Sequence, residues 1–143
     1  MLVGQILAVK GGRVVTTRPD ATIADVAALL RRERIGAVVV TEGRALCGII
    51  SERDLARGLA DHGAELLEMK VAQLMTRDVV TCTPEDSLDH LRQVMTERRF
   101  RHLPVLREGE MVGIISIGDV VKHRLDELEA ETHQLQDYIA GAV

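Results

Sequence analysis

The heptapeptide GIISIGD, Gly113 to Asp119, repeats almost unchanged a segment that the chain has already used, GIISERD, Gly48 to Asp54. Both copies keep the glycine, the two isoleucines, the serine and the aspartate. Aligned in this register, residues 14–57 lie over residues 79–122 without a gap. Self-similarity on this scale indicates two copies of one structural unit.

Each copy predicts the order strand, helix, strand, strand, helix. The segment VVT, beginning at Val14 and again at Val79, comes shortly before a proline and is predicted to be extended. Thr22 and Ser87 are placed to cap helices whose apolar residues recur at helical spacing. Two apolar or β-branched runs then flank a turn that contains glycine, which is typical of a hairpin. The Ser-x-x-Asp sequence opens the final helix.

The segments that flank the two copies are also partly repeated. VGQIL, at Val3–Leu7, matches VAQLM, at Val71–Met75, so each unit carries its own lead-in segment. Gly58 and Gly63 predict that the helix after Asp54 ends there and that a short helix follows. The predicted boundaries are a first unit at residues 1–65, a second unit at 66–124 and a helical tail at 125–143.

The predicted tail carries an apolar stripe flanked by glutamates. Its members recur at alternating spacings of four and three residues, which predicts a helix. They are Val121, Leu125, Leu128, Thr132, Leu135 and Ile139. Such a helix either packs on its own domain or is shared with a partner subunit.

Composition and charge narrow the function classes. The 143 residues are 46% hydrophobic and 28% charged, with one Phe, one Tyr and no Trp, so the core is aliphatic and any bound base must lie against aliphatic walls. A net charge of -4 argues against a dedicated nucleic-acid binder. Because no signal peptide or long apolar stretch is evident, we expect a cytoplasmic protein. Cys47 and Cys82 lack metal-type spacing, and we do not expect a disulfide.

The doubled G-I-I-S-x-x-D, together with F-R-H-L-P-V in the second copy, resembles a tandem pair of cystathionine-beta-synthase (CBS) domains, the arrangement called a Bateman module. The resemblance runs from about Val3 to Arg124, and the sequence is most similar in its motifs to stand-alone bacterial CBS-pair proteins. It implies a mixed α/β fold of two units related by a pseudo-twofold axis, with two clefts between them. It also implies adenosine-containing ligands such as AMP, ADP, ATP, NAD or S-adenosylmethionine, and a homodimer.

The chemistry of the heptapeptide agrees with such ligands. One carboxylate can accept hydrogen bonds from both hydroxyls of a ribose, each contributing about 1.5–3 kcal/mol when charged. Asp54 and Asp119 are the candidates. Ser51 and Ser116 cap the same helices, and a helix N-terminus attracts phosphate. We therefore interpret each copy as a ribose-binding hook beside a phosphate site.

The resemblance further implies that the hook of one unit works with the early strand of the other. One cleft would combine Ser116 and Asp119 with Thr16, Thr17, Ile35, Gly36 and Ala37. The other would combine Ser51 and Asp54 with Thr81, Cys82, Phe100, Arg101 and His102. The basic residues expected to meet phosphate are Arg53, Arg57, Arg101 and Lys122.

Several of these residues also have a purely structural interpretation. Ser-x-x-Asp is an ordinary helix start, and Gly48 and Gly113 fit close strand packing or a bulge better than ligand contact. His102 fits a hydrogen-bonded structural histidine better than a ligand contact or a catalytic residue. Cys82 could be a thiol that lines a cleft. Two short runs are rich in arginine, RRERI at Arg31–Ile35 and TERRFR at Thr96–Arg101. Each is either a solvated face or a basic mouth for phosphates.

The leading hypothesis is a non-catalytic sensor that binds an adenine nucleotide in signal transduction. The alternative is a structural module that dimerises without ligand. An enzyme is not expected, because no nucleophile–base pair, carboxylate dyad or metal cluster is evident. From the small residues around it, we expect the Asp119 cleft to hold adenosine more reliably. The Asp54 cleft, with Phe100 and Arg101, is expected to favour ligands with more phosphate.

Overall fold

The computed structural model describes residues 1–141, which form helices and short strands in alternation. In chain order the elements are α1 (Val3–Lys10), β1 (Thr16–Thr17), α2 (Ile23–Glu33), β2 (Ala37–Glu42), β3 (Ala45–Ser51), α3 (Glu52–His62), a 3-10 helix (Gly63–Glu68), α4 (Val71–Leu74), α5 (Leu88–Arg98), β4 (His102–Arg107), β5 (Glu110–Ser116) and α6 (Ile117–Gly141). The predicted mixed α/β class is confirmed.

Two antiparallel hairpins, β2–β3 and β4–β5, are the central elements of the two units. They have the same register, since Ala37 lies opposite Ser51 and His102 lies opposite Ser116. Each is interrupted at the same place by a shift in pairing, after Val40 and after Val105. The predicted hairpins are therefore confirmed, and each ends on the serine of the repeated heptapeptide.

The predicted caps form as the sequence indicates. The Thr22 hydroxyl accepts a hydrogen bond from the Asp25 backbone N–H at 3.2 Å, and the Ser87 hydroxyl accepts one from the His90 N–H at 3.1 Å. Both satisfy an N–H that the first helical turn leaves without a partner. Helices α2 and α5 consequently begin at equivalent positions in the two units.

The first strand of the second unit is reduced compared with the prediction. In the first unit the Val39 N–H donates to the Val15 carbonyl at 3.3 Å, and β1 pairs in parallel with β2. The residue equivalent to Val39 is Pro104, which has no N–H to donate. Only a single parallel bridge, between Cys82 and Val105, forms there in the described chain. The short strand predicted at Val79 is therefore reduced to this bridge in the described chain.

The two lead-in helices are exchanged between the units. Val3 and Ile6 of α1 are fully buried in the core of the second unit. Val71 of α4 and Met75 after it are buried in the core of the first unit. The predicted boundary at residue 65 separates each lead-in helix from the core in which it packs.

Helix α3 differs in part from the sequence prediction, whereas the last helix runs on as predicted. Helix α3 continues through Gly58, where a Cβ atom would lie only 2.6 Å from Leu66 Cδ1, and it ends before Gly63, whose φ is +60°. Helix α6 runs unbroken past residue 125. Its apolar stripe is exposed, with Leu125 55% and Leu135 61% accessible, so the rest of the described chain does not cover the stripe. No helix within residues 1–141 has the length and apolar content needed to cross a bilayer.

Candidate functional site

The first hook lies at the start of α3 and is held in place by its own cap. The Ser51 backbone N–H and hydroxyl donate to Asp54 Oδ2 at 2.8 and 3.1 Å. In return, the Asp54 N–H points to the Ser51 hydroxyl oxygen at 3.4 Å. This reciprocal arrangement fixes the orientation of the carboxylate at the helix N-terminus. It engages one carboxylate oxygen, Oδ2, and leaves the Asp54 Oδ1 lone pairs for a ligand.

The second hook repeats this geometry and adds a cation. Ser116 N–H and hydroxyl donate to Asp119 Oδ2 at 2.8 and 3.0 Å. Lys10 Nζ, from the end of α1, donates to the same Oδ2 at 2.6 Å and to the Ile114 carbonyl at 2.8 Å. The two hooks are therefore equal in local geometry and unequal in charge.

The additional cation changes the acidity of the second hook. Burial raises the pKa of Asp119, but the hydrogen bond from Lys10, the hydrogen bonds from Ser116 and the charge of Lys10 together outweigh it. The net result is a lowered pKa, so Asp119 is ionised throughout the neutral range.

The Asp54 hook opens into a cleft of about 370 Å³ that residues of both units line. The first unit supplies Gly36, Ile49, Ser51, Glu52, Arg53, Asp54 and Arg57, and Thr76, Arg98, Arg99, Phe100, Arg101 and His102 come from the other half of the chain. The expected combination of one unit's hook with the other unit's strand is thus present. Five arginines and two carboxylates make this cleft strongly basic.

A second cleft, of about 270 Å³, lies beside Asp119. Its lining residues are Lys10, Arg13, Val14, Val15, Arg34, Ile35, Gly36, Ala37, His102, Ile114 and Ser116. Valine, isoleucine and alanine side chains form much of its wall, as expected for a protein with almost no aromatic residues. Its cations come from α1, the segment that follows α1, and the end of α2.

Several predicted site residues do not line these clefts. In the Asp119 cleft, Val14 and Val15 stand in place of Thr16 and Thr17, because the chain reaches the cleft before β1 begins. Thr81 is absent from the lining of the Asp54 cleft, where Thr76 lies instead. These threonine assignments are not supported by the structure.

Lys122 does not contribute to the Asp119 cleft either. It is exposed on α6, although its counterpart Arg57 lines the other cleft. The charge beside Asp119 is supplied instead by Lys10.

Cys82 is a core residue rather than a cleft thiol. Its side chain is 5% exposed and packs in the core of the second unit. Burial, with a smaller effect from the charge of Asp86, raises the pKa of the Cys82 thiol to about 12. Cys47 and Cys82 are both free thiols. The thiol is protonated at neutral pH and is not placed to contact a ligand.

The arginine-rich runs contribute to both clefts. Arg34 and Arg99, at equivalent positions just after α2 and α5, adopt left-handed backbone conformations with φ of 56° and 58°. A non-glycine residue with such a φ carries strain that the surrounding structure must offset. Arg34 lines the Asp119 cleft, and Arg99 lines the Asp54 cleft. These arginines are thus placed at the clefts, and their role toward phosphate stays a prediction.

The repeated glycines serve packing, as predicted. A Cβ atom on Gly48 would lie 2.7 Å from the Thr76 carbonyl oxygen, and one on Gly113 would lie 2.6 Å from Leu7 Cδ2. Each glycine thus lets the lead-in segment of the opposite unit approach the hairpin closely.

Lys10 and Arg13 are two charged residues of the Asp119 cleft that the sequence reasoning missed. Nothing local marks them, because their place in the cleft depends on the exchange of α1 onto the second unit. The match between VGQIL and VAQLM was the available signal, since it placed a lead-in segment beside each unit without showing which hairpin it contacts.

Comparison with known proteins shows the same organisation elsewhere. The sequence pattern of the CBS domain matches residues 4–61 and again residues 71–126. A mitochondrial CBS domain-containing protein of Arabidopsis thaliana is 38% identical over 127 residues, which cover 85% of this chain and 62% of that protein. The chain therefore spans about three fifths of the length of this relative.

Solved structures share the fold over nearly their full length. A CBS-domain containing protein from Agrobacterium tumefaciens is 46% identical with a TM-score of 0.85, covering 87% of this chain and 99% of the other. A CBS domain pair solved in complex with 5'-methylthioadenosine and S-adenosyl-L-methionine is 25% identical with a TM-score of 0.76, covering 85% of this chain and 98% of the other.

Proposed function

The chain belongs to the CBS domain family, and on that premise we propose that it is a non-catalytic regulatory module that binds an adenosine-containing ligand. The observation that carries the proposal is the pair of Ser-x-x-Asp hooks, each with its carboxylate fixed by a cap beside a cleft between the units. A fixed carboxylate loses little orientational freedom when it accepts hydrogen bonds from two ribose hydroxyls.

The Asp54 cleft is the better candidate for the primary ligand site. Its carboxylate is engaged by Ser51 in the described chain, whereas that of Asp119 also holds Lys10 at 2.6 Å. Arg53, Arg57 and their neighbours supply positive charge for phosphate. The sequence-based expectation that the Asp54 cleft favours phosphate is kept. The expectation that the Asp119 cleft holds adenosine more reliably is reversed, because the Asp54 carboxylate has no lysine bound to it in the described chain.

The ligand class is supported by chemistry and by a relative. Adenosine supplies the vicinal hydroxyls that a carboxylate recognises, and a phosphate or other polar group would face the arginines. The related CBS domain pair solved with 5'-methylthioadenosine and S-adenosyl-L-methionine holds ligands of this class. We propose AMP, ATP or NAD as the leading candidates for this chain.

Isothermal titration calorimetry of the chain against AMP, ADP, ATP, NAD and S-adenosylmethionine tests the proposal. We expect a measurable binding heat for at least one of them. No heat from any of the five at millimolar concentration would reject the proposed function.

A homodimer is the second part of the proposal. The stripe of Leu125, Leu128, Leu135 and Ile139 on α6 is 41–61% exposed, and a row of exposed apolar side chains on one helix face is typical of a protein interface. A groove between α5 and α6, lined in part by Met95, Val120 and Leu125, continues this apolar surface. Sedimentation is expected to show a dimer at tens of micromolar, and a monomer would reject this part.

The same stripe favours the alternative function, a module that dimerises without a ligand. Calorimetry and sedimentation together separate the two. A dimer that binds none of the five nucleotides would support the structural module over the sensor.

A further inference from the structure

The two clefts share one wall. Gly36 and His102 are the residues that line both of them. A Cβ atom on Gly36 would lie 3.6 Å from both Cε1 and Nε2 of the His102 imidazole, and 3.8 Å from Glu52 Cδ. The edge of the imidazole therefore packs against the Gly36 backbone, and this pair forms the partition between the clefts.

The backbone of His102 is tied to the second hook. His102 is the first residue of β4 and lies opposite Ser116, which caps the helix that begins with the Asp119 hook. Next to it, the Arg101 carbonyl accepts a hydrogen bond from the Ile117 N–H at 2.8 Å. The sequence predicted His102 for the Asp54 cleft alone, but its strand is anchored at the other hook.

Charged groups from four surrounding segments act on the imidazole, and Arg13 and Arg34 line the Asp119 cleft with it. Burial is the main cause that lowers the pKa of His102, and the positive charges of Lys10 on α1 and of Arg101 act in the same direction. Asp119 on α6 and Glu52 on α3 oppose them. The net shift is downward from an ordinary value near 6.5, so the free protein carries a neutral imidazole at neutral pH.

An anion in either cleft would change this balance. A phosphate near the imidazole favours its protonated form and raises its pKa. Proton uptake then accompanies ligand binding at any pH between the lowered value of the free protein and the raised value of the complex. Over this range the affinity for a phosphate ligand increases as the pH falls.

We propose, on the basis of the proposed function, that His102 is a contact shared by the two clefts, at which a phosphate-bearing ligand in either cleft binds together with a proton. The imidazole is single, so a second ligand meets a contact that the first already engages. Binding in the two clefts is thereby coupled, and the second ligand binds more weakly. The hooks themselves do not provide this coupling, because each lies at a different cleft.

The test is calorimetry of the full chain with ADP at about pH 7.5, in two buffers of different ionisation enthalpy, which yields the number of protons taken up. Wild type is compared with His102→Gln, which stays neutral, and His102→Arg, which stays charged. Adenosine is the control ligand without phosphate. Thermal unfolding by circular dichroism checks that both variants fold.

We expect wild type to take up a fraction of a proton with ADP and none with adenosine. Both variants lose the part of the uptake that His102 contributes, and any part that comes from ionisation of ADP itself is equal in all three proteins and cancels in the comparison. His102→Arg keeps the wild-type affinity within about threefold, whereas His102→Gln weakens it about tenfold, the loss expected for one modest charged contact. The dissociation constants for the first and the second ADP become more similar in His102→Gln than in wild type.

Unchanged proton uptake in His102→Gln, or an unchanged ratio of the two dissociation constants, would overturn the proposal while leaving the proposed function intact. Absence of binding by wild type to any adenine ligand would reject the proposed function and this inference with it.

Discussion

The two copies of the heptapeptide build nearly the same hook in two different electrostatic settings. Ser51 and Ser116 hold their aspartates with backbone contacts of 2.8 Å in both cases. Lys10 then reaches Asp119 at 2.6 Å, and no lysine in the described chain reaches Asp54 in this way. The seven residues determine the local geometry, whereas the exchange of the lead-in helices determines the charge. An identical motif is therefore no guarantee of an identical site.

The largest expected effect distinguishes the two hooks directly. Asp54→Asn is expected to weaken AMP binding by about 1.5–3 kcal/mol, because it removes the charged acceptor of the ribose hydroxyls. Asp119→Asn is expected to cost less than half as much, since Lys10 competes for that carboxylate. Calorimetry with AMP measures both. Equal losses, or a larger loss for Asp119→Asn, would restore the ranking expected from the sequence.

A second comparison concerns the glycines of the heptapeptide. Gly48→Ala is expected to reduce the free energy of unfolding by about 1–3 kcal/mol, because its Cβ would meet the rigid Thr76 carbonyl oxygen at 2.7 Å. Gly113→Ala is expected to cost less, because the atom it meets is the flexible end of Leu7. Urea denaturation monitored by circular dichroism provides the measurement. A more stable Gly48→Ala than Gly113→Ala would contradict the contacts described for the exchanged segments.

Removing Lys10 is expected to make the hooks more alike. Lys10→Met removes a hydrogen bond and a positive charge, so the pKa of Asp119 should rise. The lowered pKa in wild type stabilises the fold above the unfolded-state pKa of about 3.9, and this contribution is lost as the pH falls through the folded-state value. Lys10→Met should lose part of that acid-dependent stability. It should also bind adenosine more tightly in the Asp119 cleft, because Lys10 no longer competes for the carboxylate.

Carboxyl NMR titration of Asp119 in wild type and Lys10→Met measures this shift. Arg13→Met, which removes a nearby cation that does not contact Asp119, is the matched control. A pKa of Asp119 that does not rise in Lys10→Met would show that the ion pair is unimportant in solution.

The smallest effect concerns the strand that the second unit lacks. Pro104→Val supplies the N–H that Val39 uses in the first unit, and the segment around Val80 is expected to gain strand pairing. The added hydrogen bond and the lost rigidity of proline nearly cancel, so the stability should change by less than about 1 kcal/mol. Amide hydrogen exchange should show slower exchange at residue 104 than at an unpaired position. Rapid exchange there would mean that proline is not the cause of the missing strand.

Much of the fold could be predicted because its signals are local. The helix caps at Thr22 and Ser87, the two hairpins and the two hooks all depend on residues within a few positions of one another. The doubling of these signals led to the CBS resemblance, which the comparisons confirmed. Where the structure is reduced compared with the prediction, at the first strand of the second unit, Pro104 was visible in the sequence but its partner carbonyl at Val80 was not.

The sites were less predictable because they depend on contacts between distant segments. Ile35, Gly36 and Ala37, named through the resemblance, line the Asp119 cleft, whereas the neighbouring Thr16 and Thr17 do not. Lys10 could not be identified from its own surroundings, since it lies more than a hundred positions from Asp119 in sequence. Cys82 occupies a position that aligns with Thr17, yet it faces the core.

A crystal structure of the chain with AMP tests the central claim most directly, namely that the duplicated hooks form two unequal adenosine sites. The account predicts AMP in the Asp54 cleft, with the ribose hydroxyls on the Asp54 carboxylate and the phosphate among Arg57, Arg99 and Arg101. The second cleft should be filled only at higher AMP concentration, with Lys10 displaced from Asp119. AMP bound first at Asp119, or bound away from both carboxylates, would contradict it.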